Sequence, residues 1–213
     1  MLLPFEIKNQ VIGAFCSQDL PAYGQVATVD EHDHPQVRTV HCHYIKEQNS
    51  MAFNAHVESN KWKDLVHNLS VSGCYFDMVQ MIQFRWEGPA QLIQNNNEIL
   101  QTLWLSSREE VRLAYWLSEK KISLREYKKY ERIRLPRSGS PLLPTAKGGD
   151  DIGNNDSNID LSLRSSGHGV VMCSPIKWKI YEVNPEHYCE GKITEYSFSN
   201  NAWFQKESSI LGI

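Results

Sequence analysis

The sequence predicts a mainly β, α+β protein in which an antiparallel sheet or barrel carries attached helices. Three observations lead to this class. Segments rich in β-branched and aromatic residues alternate with turn residues, as in "QVATVDEHDHPQVRTVHCHYI". The connections between these segments have hairpin length, which favours antiparallel pairing. Helical periodicity is confined to a short segment near residue 60 and to a block that begins at Asn97.

Length and charge limit the possible functions. The chain has 213 residues with 41% hydrophobic and 22% charged residues, and we expect one domain over residues 1–213. A formal net charge of −3 argues against a nucleic acid or an anionic membrane as the partner. No apolar run approaches the ~20 residues of a membrane helix, and "MLLPFEIKNQ" lacks the features of a secretory signal.

The cysteine pattern predicts reduced thiols. Five cysteines, an odd number, are widely spaced and form no C-x-x-C pair. This usage is typical of a cytosolic protein, so we expect a cytoplasmic location.

The strand predictions follow the chain in order. Residues 1–24 form a leading segment without a clear pattern, and the hairpin quoted above follows. Further strands are predicted at "MAFNAH", "VSGCYFDM" and "MIQFRWEGPAQLI". In the last of these, Ile82, Phe84 and Trp86 alternate with polar residues, which indicates one apolar face. The C-terminal strands are predicted at "VVMCS", "KWKIYEV", "HYCEG", "ITEYSF" and "AWFQK".

A short helix is predicted in "ESNKWKDLVHNLS". Its apolar residues share the spacing of one helix face, and Ser59 precedes them at the N-cap position. The residues of this face are Trp62, Leu65, Val66 and Leu69.

The block "NEILQTLWLSSREEVRLAYWLSEKK" is predicted to form helix in two pieces. Ser107 and Glu110 have the spacing of a capping box at the break, and Ser123 with Glu126 repeats it. Residues 135–169 are rich in Gly, Ser, Pro, Asn and Asp, so we expect a mobile loop, with its role as a lid left open.

The four histidines of "DEHDHPQVRTVHCHYI" raise the possibility of a metal site. His41 and His43 are two apart and would share one face of a strand, and His32 and His34 could complete a set of nitrogen ligands for zinc. However, the last two lie in a polar turn, and no Glu-x-x-His or Cys-x-x-Cys motif frames the group. We therefore expect no metal site.

A second group of polar residues suggests an anion site. Arg38 and Thr39 interrupt an apolar strand, Ser59 and Lys61 stand at the start of the short helix, and Gln83 lies on a polar strand face. A helix N-terminus with Arg and Lys suits a phosphate. A Gln amide can donate to and accept from the edge of a heteroaromatic ring.

In their order, these motifs resemble the pyridoxamine-phosphate-oxidase-like FMN-binding split barrels. "ATVDEHDHPQVRTV" is similar to the family's Ala-Thr-Val-Asp, turn, Pro-x-x-Arg-Thr-Val hairpin, and "FNAHVESNKWKDL" to its Phe-Tyr-Thr-Asn-x-x-Ser-Arg-Lys stretch. "IQFRWEG" is similar to its Gln-x-Arg-x-Glu-Gly strand. The resemblance covers residues ~25–116 and implies an antiparallel split barrel with peripheral helices.

The resemblance also implies a cofactor site for FMN. Ser59 and Lys61 would hold the phosphate with help from Arg38, and Gln83 would face the isoalloxazine ring. Asn54 and Asn60 replace a tyrosine and an arginine of the family pattern, so one phosphate-binding cation is missing. The expected cofactor-binding residues are Arg38, Thr39, Val40, His41, His43, Asn54, Ser59, Asn60, Lys61 and Gln83. The family is dimeric with FMN at the interface, so we expect a homodimer.

The substrate half of the site departs from the family pattern. The C-terminal Arg-Leu-His-Asp-Arg run is absent from "YCEGKITEYSF", and Cys189 stands where the family has a Trp. Ser107 and Arg108 resemble a pair that grips the substrate phosphate. The sequence thus predicts an FMN-dependent oxidoreductase with an unidentified small-molecule substrate. The alternatives are a non-catalytic flavin-binding or interaction protein, a true pyridoxamine-phosphate oxidase and, last, a metal-binding module.

Overall fold

The structure is a computed structural model that describes residues 3–16, 21–95, 98–123, 125, 164–187 and 190–209. These residues form two compact units. The first comprises residues 1–97 with 169–213, and the second comprises residues 98–168.

The first unit is built on an antiparallel sheet. Its hydrogen-bonded order is β10-β9-β8-β6-β5-β1-β2, and each pairing along this path is antiparallel. Three further strands lie off this path, where β4 pairs with β3 and β7, and β7 also pairs with β6. The strands are β1 Tyr23–Val29, β2 Pro35–His41, β3 His43–Ile45, β4 Ser50–His56, β5 Ser70–Asp77, β6 Ile82–Ile93, β7 His168–Cys173, β8 Lys177–Val183, β9 Gly191–Ser199 and β10 Ala202–Ser209. The predicted antiparallel split-barrel class is confirmed, as are the strand positions except for "HYCEG", part of which lies outside the described residues.

A row of residues across the sheet forms the centre of the core. Register pairs Val26 with Gly73, Gly73 with Trp86, Trp86 with Trp178, and Trp178 with Tyr196. The four side chains of this row are at most 4% exposed. A Cβ at position 73 would overlap the Trp86 indole, so only glycine fits beneath that ring. Each buried aromatic side chain contributes about 2–3 kcal/mol through apolar burial.

The leading segment contains a helix that the sequence pattern did not predict. Helix α1, Phe5–Phe15, buries Ile7, Val11 and Phe15, which lie one turn apart on the same face. The Phe15 ring lies 5.7 Å from the Trp86 ring between centroids, so this helix covers the core row.

The short predicted helix is α2, Asn60–His67, and half of its predicted apolar face is wrong. Trp62 and Leu65 are buried, whereas Val66 is 68% exposed and Leu69, beyond the end of the helix, is 50% exposed. The buried face of α2 instead includes a charged residue, Asp64.

The second unit contains the two helices predicted for the block after residue 97. They are α3, Glu98–Ser106, and α4, Glu109–Glu119. The predicted capping box is wrong: the Ser107 hydroxyl donates to the Leu103 carbonyl at 2.7 Å, and Arg108 occupies the N-cap position of α4. Glu126 and residues 135–163 of the predicted loop lie outside the described residues. Within the part of the chain that the structure describes, no helix has the length and apolar character needed to cross a bilayer.

Candidate functional site

Strand β2 presents its polar residues on two faces. Arg38 pairs in register with Val26 of the core row, whereas Thr39 pairs with Gln25 and His41 with Tyr23. Successive residues of a strand point to opposite faces. Arg38 and Val40 therefore lie on the core side of the sheet, and Thr39 and His41 lie on the outer side.

Arg38 belongs to a compact hydrogen-bond network. Its Nη1 donates to Thr28 Oγ1 at 2.6 Å, and its Nη2 donates to Asp64 Oδ2 at 3.0 Å. The Thr28 hydroxyl donates to the same carboxylate oxygen at 2.6 Å. Thr28 is 1% and Asp64 is 7% exposed. The guanidinium of Arg38 is thus fixed in place and paired with a buried carboxylate.

The N-terminus of α2 lies beside this network. Ser59 is the N-cap residue, but its hydroxyl donates to the His56 carbonyl at 2.6 Å and forms no cap bond to the helix. The N–H groups of Trp62 and Lys63 donate to the Ser59 carbonyl at 3.0 and 3.1 Å. Those of Asn60 and Lys61 precede them at the helix start, where an anion can be received. Lys61 is half-buried in the first turn, and burial, followed by the nearby charge of Arg38, lowers the pKa of its ammonium. Asn60 is exposed.

These residues form what we call the anion pole, which consists of Arg38, Ser59, Asn60 and Lys61. Lys61 stands in the first turn of α2, and Arg38 pairs with Asp64 in the second turn of the same helix. This is the donor set that a phosphate group requires. The positive charge available to a phosphate is reduced, because Asp64 already pairs with Arg38, one of the two cations.

Gln83 lies on the other face of the sheet. Gln83 is two residues from Arg85 and so shares its face of β6. In register across the sheet, Arg85 pairs with Cys74, Cys74 with Gln25, and Gln25 with Thr39. The outer face therefore carries Gln83 on β6 and both Thr39 and His41 on β2, and strands β5 and β1 lie between β6 and β2. Three strand spacings of ~4.8 Å separate β6 from β2. A single sheet thus presents Gln83 on the face opposite to Arg38.

His43 and His41 form a close pair at the end of β2 and the start of β3. Their ring centroids are 4.1 Å apart. Burial, and secondarily the neighbouring His41, lowers the pKa of His43 to about 3. The ring is therefore neutral at pH 7. Its Nε2 is buried and has no hydrogen-bond partner among the described residues, so it is available to a ligand.

The remaining predicted positions lie on β4 and in the second unit. Asn54 is half-buried on β4 between the buried residues Phe53 and Ala55. Ser107 and Arg108 lie at the junction of α3 and α4 in the second unit.

The turn histidines have a local structural explanation. Asp30 Oδ1 accepts hydrogen bonds from the backbone N–H groups of His32 and His34, both at 2.9 Å. Both imidazoles are exposed. Across the described ranges, no group of three or more His, Cys, Asp or Glu residues is placed to hold a metal ion.

Sequence reasoning missed Thr28 and Asp64. Both are buried polar residues, and each contacts Arg38. The available signal was the position of Asp64 between Trp62 and Leu65, where a charged residue interrupts a buried helix face.

The fold is an antiparallel split barrel, and the anion pole is its candidate site for a phosphate group. Comparison with known proteins identifies the relatives of this chain. Residues 9–94 match the family model described as "Pyridoxamine 5'-phosphate oxidase, FMN-binding domain". The resemblance that the sequence motifs suggested is thereby confirmed, and the matched stretch includes the whole anion pole and Gln83.

Solved structures show the same fold at low sequence identity. A pyridoxamine 5'-phosphate oxidase-related, FMN-binding protein from Nostoc punctiforme is 16% identical, with a TM-score of 0.65 and 98% of each chain covered. PhzG from Burkholderia lata, in complex with tetrahydrophenazine-1-carboxylic acid, is 12% identical, with a TM-score of 0.61 and coverage of 98% of this chain and 97% of that one. No curated protein sequence matches the chain.

Proposed function

We propose that this protein binds FMN and acts as an FMN-dependent oxidoreductase on a small molecule that is not yet identified. The observation that carries the proposal is that α2 has Lys61 in its first turn and Asp64 paired with Arg38, within the stretch that matches an FMN-binding family model. The bound flavin would supply hydride or electron transfer at its N5, and the protein would supply binding and orientation.

Each part of the site has a distinct task in this proposal. The side chain of Lys61 and the N–H groups of Asn60 and Lys61 would hold the phosphate, with Ser59 at the helix entry and Arg38 adding a charge-assisted contact. Exposed Asn60 would contribute an amide where the family pattern has a cation. Val40 and Asn54 would line the flavin beside this pole, and Thr39 and His41, which share a face with Gln83, would line the ring together with Gln83.

His43 would contact the flavin as a neutral imidazole. Its buried Nε2 lacks a partner within the described chain, which supports a role as a hydrogen-bond group for the ligand. Because the lowered pKa keeps the ring uncharged at pH 7, it would not serve as a cationic phosphate ligand.

We also propose a homodimer in which the two faces of the sheet meet across the flavin. One chain offers its anion pole, while Gln83 lies on the opposite face, so a second copy would present its Gln83 to the ring. Strand β2 ends the sheet, and its Val37 is 65% exposed. An exposed edge strand with apolar residues is a surface that partners commonly cover.

The substrate half of the site supports fewer conclusions. Ser107 and Arg108 remain candidates for contact with the substrate. The region that would carry the substrate motif of the oxidases is occupied by β9, which contains no arginine or histidine, so true pyridoxamine-phosphate oxidase activity has less support. The four cysteines that the structure describes are free, in keeping with the proposed cytoplasmic location.

A non-catalytic flavin-binding protein is the second candidate. It is favoured by the carboxylate of Asp64 at Arg38, because the net charge available to a phosphate is reduced. Steady-state reduction of the bound flavin by candidate donors separates the two candidates: an enzyme shows turnover, whereas a binding protein shows a spectrum without turnover.

The visible spectrum of the purified protein tests the flavin proposal itself. We expect a flavin absorption band in the protein as isolated or after addition of FMN and gel filtration. The gel filtration volume should be that of a dimer. A protein that retains no flavin under either condition contradicts the proposal.

A further inference from the structure

Asp64 is a buried charge at the edge of the proposed cofactor site. It lies one turn after Lys61 on α2, so the two side chains project from neighbouring positions of one helix face. Its Oδ2 accepts hydrogen bonds from Thr28 and from Arg38. Burial of an unpaired carboxylate is costly, and these two donors satisfy it.

The charge balance of the anion pole follows from this contact. Arg38 and Lys61 contribute two positive charges, and Asp64 removes one, so the net charge is one. A phosphomonoester carries a charge of about −1.5 to −2 at pH 7. An arginine at position 60, as in the resembled family, would restore the balance, but this chain has Asn60 there. The pole therefore compensates a dianionic phosphate only in part.

We propose that Asp64 determines the charge selectivity of this site: by pairing with Arg38, it makes the site bind flavins with and without a 5'-phosphate with similar affinity. This inference rests on the proposed flavin-binding function and goes beyond it. Most of the binding free energy would come from contacts with the isoalloxazine ring and the ribityl chain. Asp64 acts through Arg38 and is a positioning residue.

A purely structural role for Asp64 makes a different prediction. If its carboxylate served only to hold Thr28 and Arg38 in the folded chain, its replacement would change the stability of the protein. The relative affinity for two flavins that differ only in the phosphate would then stay constant.

The experiment measures the ratio of the riboflavin Kd to the FMN Kd. For the wild-type protein we expect a ratio below about 10, because a single net charge acts through a partly exposed, high-dielectric site. In Asp64→Asn, whose amide oxygen can still accept the hydrogen bond from Thr28, Arg38 is released to the phosphate. The ratio should rise by about tenfold.

Two further variants complete the cycle. Arg38→Gln removes the cation and leaves Asp64, so the ratio should fall toward one. The double variant Arg38→Gln with Asp64→Asn has the wild-type net charge, so its ratio should return to within about threefold of the wild-type value. Glu58→Gln is the matched control: it removes an exposed carboxylate two residues before α2, and the ratio should not change.

The outcomes separate the inference from the proposed function. If no variant and no wild-type protein binds either flavin, the proposed function fails. If both flavins bind but the wild-type ratio exceeds about 10, or if folded Asp64→Asn leaves the ratio unchanged, the inference about Asp64 is overturned. Thermal denaturation of each variant establishes that it is folded. The wild-type ratio requires no variant, so it tests the inference even if Asp64→Asn does not fold.

Discussion

The two faces of the sheet around β2 differ in how their polar groups are held. On the core side, short hydrogen bonds to Thr28 and Asp64 fix Arg38. Asp64 lies on α2, the helix that also carries Lys61. On the outer side, Thr39 and Gln83 are related only by register across several strands. In our proposal, therefore, one chain supplies the recognition of the phosphate charge, whereas recognition of the ring depends on a second copy.

The largest effect on stability is expected in the core row, because the strands that carry both faces pack on it. Gly73→Ala places a methyl group where the Trp86 indole lies, so the strand or the ring must move. We expect a loss of about 3 kcal/mol or more in the free energy of unfolding, measured by urea denaturation. Gly13→Ala, in helix α1 where a Cβ has only Gln80 Nε2 at 4.0 Å, is the control and should stabilise the protein by up to about 1 kcal/mol.

If Gly73→Ala unfolds at the same urea concentration as the wild type, the core row does not support the sheet as we describe it.

A smaller effect should distinguish the two faces directly. Arg38→Ala leaves the Asp64 carboxylate buried without its cation, and we expect a loss of about 2 kcal/mol of unfolding free energy. Thr39→Ala, on the exposed face of the same strand, should cost less than about 1 kcal/mol. Equal losses for the two variants, measured by thermal denaturation, would show that the Arg38 network contributes little to stability.

The histidine pair predicts a pH dependence of stability. The pKa of His43 is about 3 in the folded protein, and it is about 6.5 for an unperturbed histidine. Between these values the unfolded chain binds more protons, so stability falls as the pH is lowered from about 6.5 toward 3. Above pH 6.5 this contribution is fully present.

His43→Gln should flatten the slope of unfolding free energy against pH in this window. Part of the slope will remain, because burial lowers the pKa of His168 to about 4, so that His168 also makes stability fall as the pH is lowered. Exposed His32→Gln should leave the slope unchanged. A slope in His43→Gln as steep as in the wild type, determined by urea titrations at several pH values, would contradict burial of a neutral His43.

The smallest effect is expected for the outer face. Gln83→Ala should shift the absorption maximum of bound FMN, because an amide near the ring alters its hydrogen bonding. The FMN Kd should change by less than about threefold, because Gln83 supplies one neutral hydrogen bond among the many contacts of the ring. A large loss of affinity with an unchanged spectrum would place Gln83 at the phosphate and reverse the assignment of the two faces.

Local patterns predicted most of the sheet, and tertiary contacts decided the rest. The alternation of Phe84 and Trp86 was sufficient to predict β6, because strand periodicity is visible within a few residues. Helix α1 was missed because its buried face is short and Phe5, at its start, is 74% exposed. In the predicted capping box, the Ser107 hydroxyl donates to the Leu103 carbonyl of α3 instead of capping α4. This hydrogen bond depends on where α3 ends.

The candidate site shows the same division. The motifs pointed to Arg38 and Lys61, and the structure places Lys61 in the first turn of α2 and pairs Arg38 with Asp64 of the same helix. Asp64 and Thr28 could not be predicted, because their contact requires α2 to pack against β1. The separation of Gln83 from Arg38 follows from strand register, which a linear motif does not contain.

The most direct test of the central claim is an FMN titration of Lys61→Ala against Lys63→Ala. The two lysines are neighbours on α2, but Lys61 is half-buried at the helix start whereas Lys63 is exposed. Loss of one charge-assisted phosphate contact should weaken FMN binding about fivefold in Lys61→Ala, within the less than about tenfold that the whole phosphate contributes, and leave Lys63→Ala like the wild type. Equal affinities in the two variants would contradict a flavin site at the anion pole.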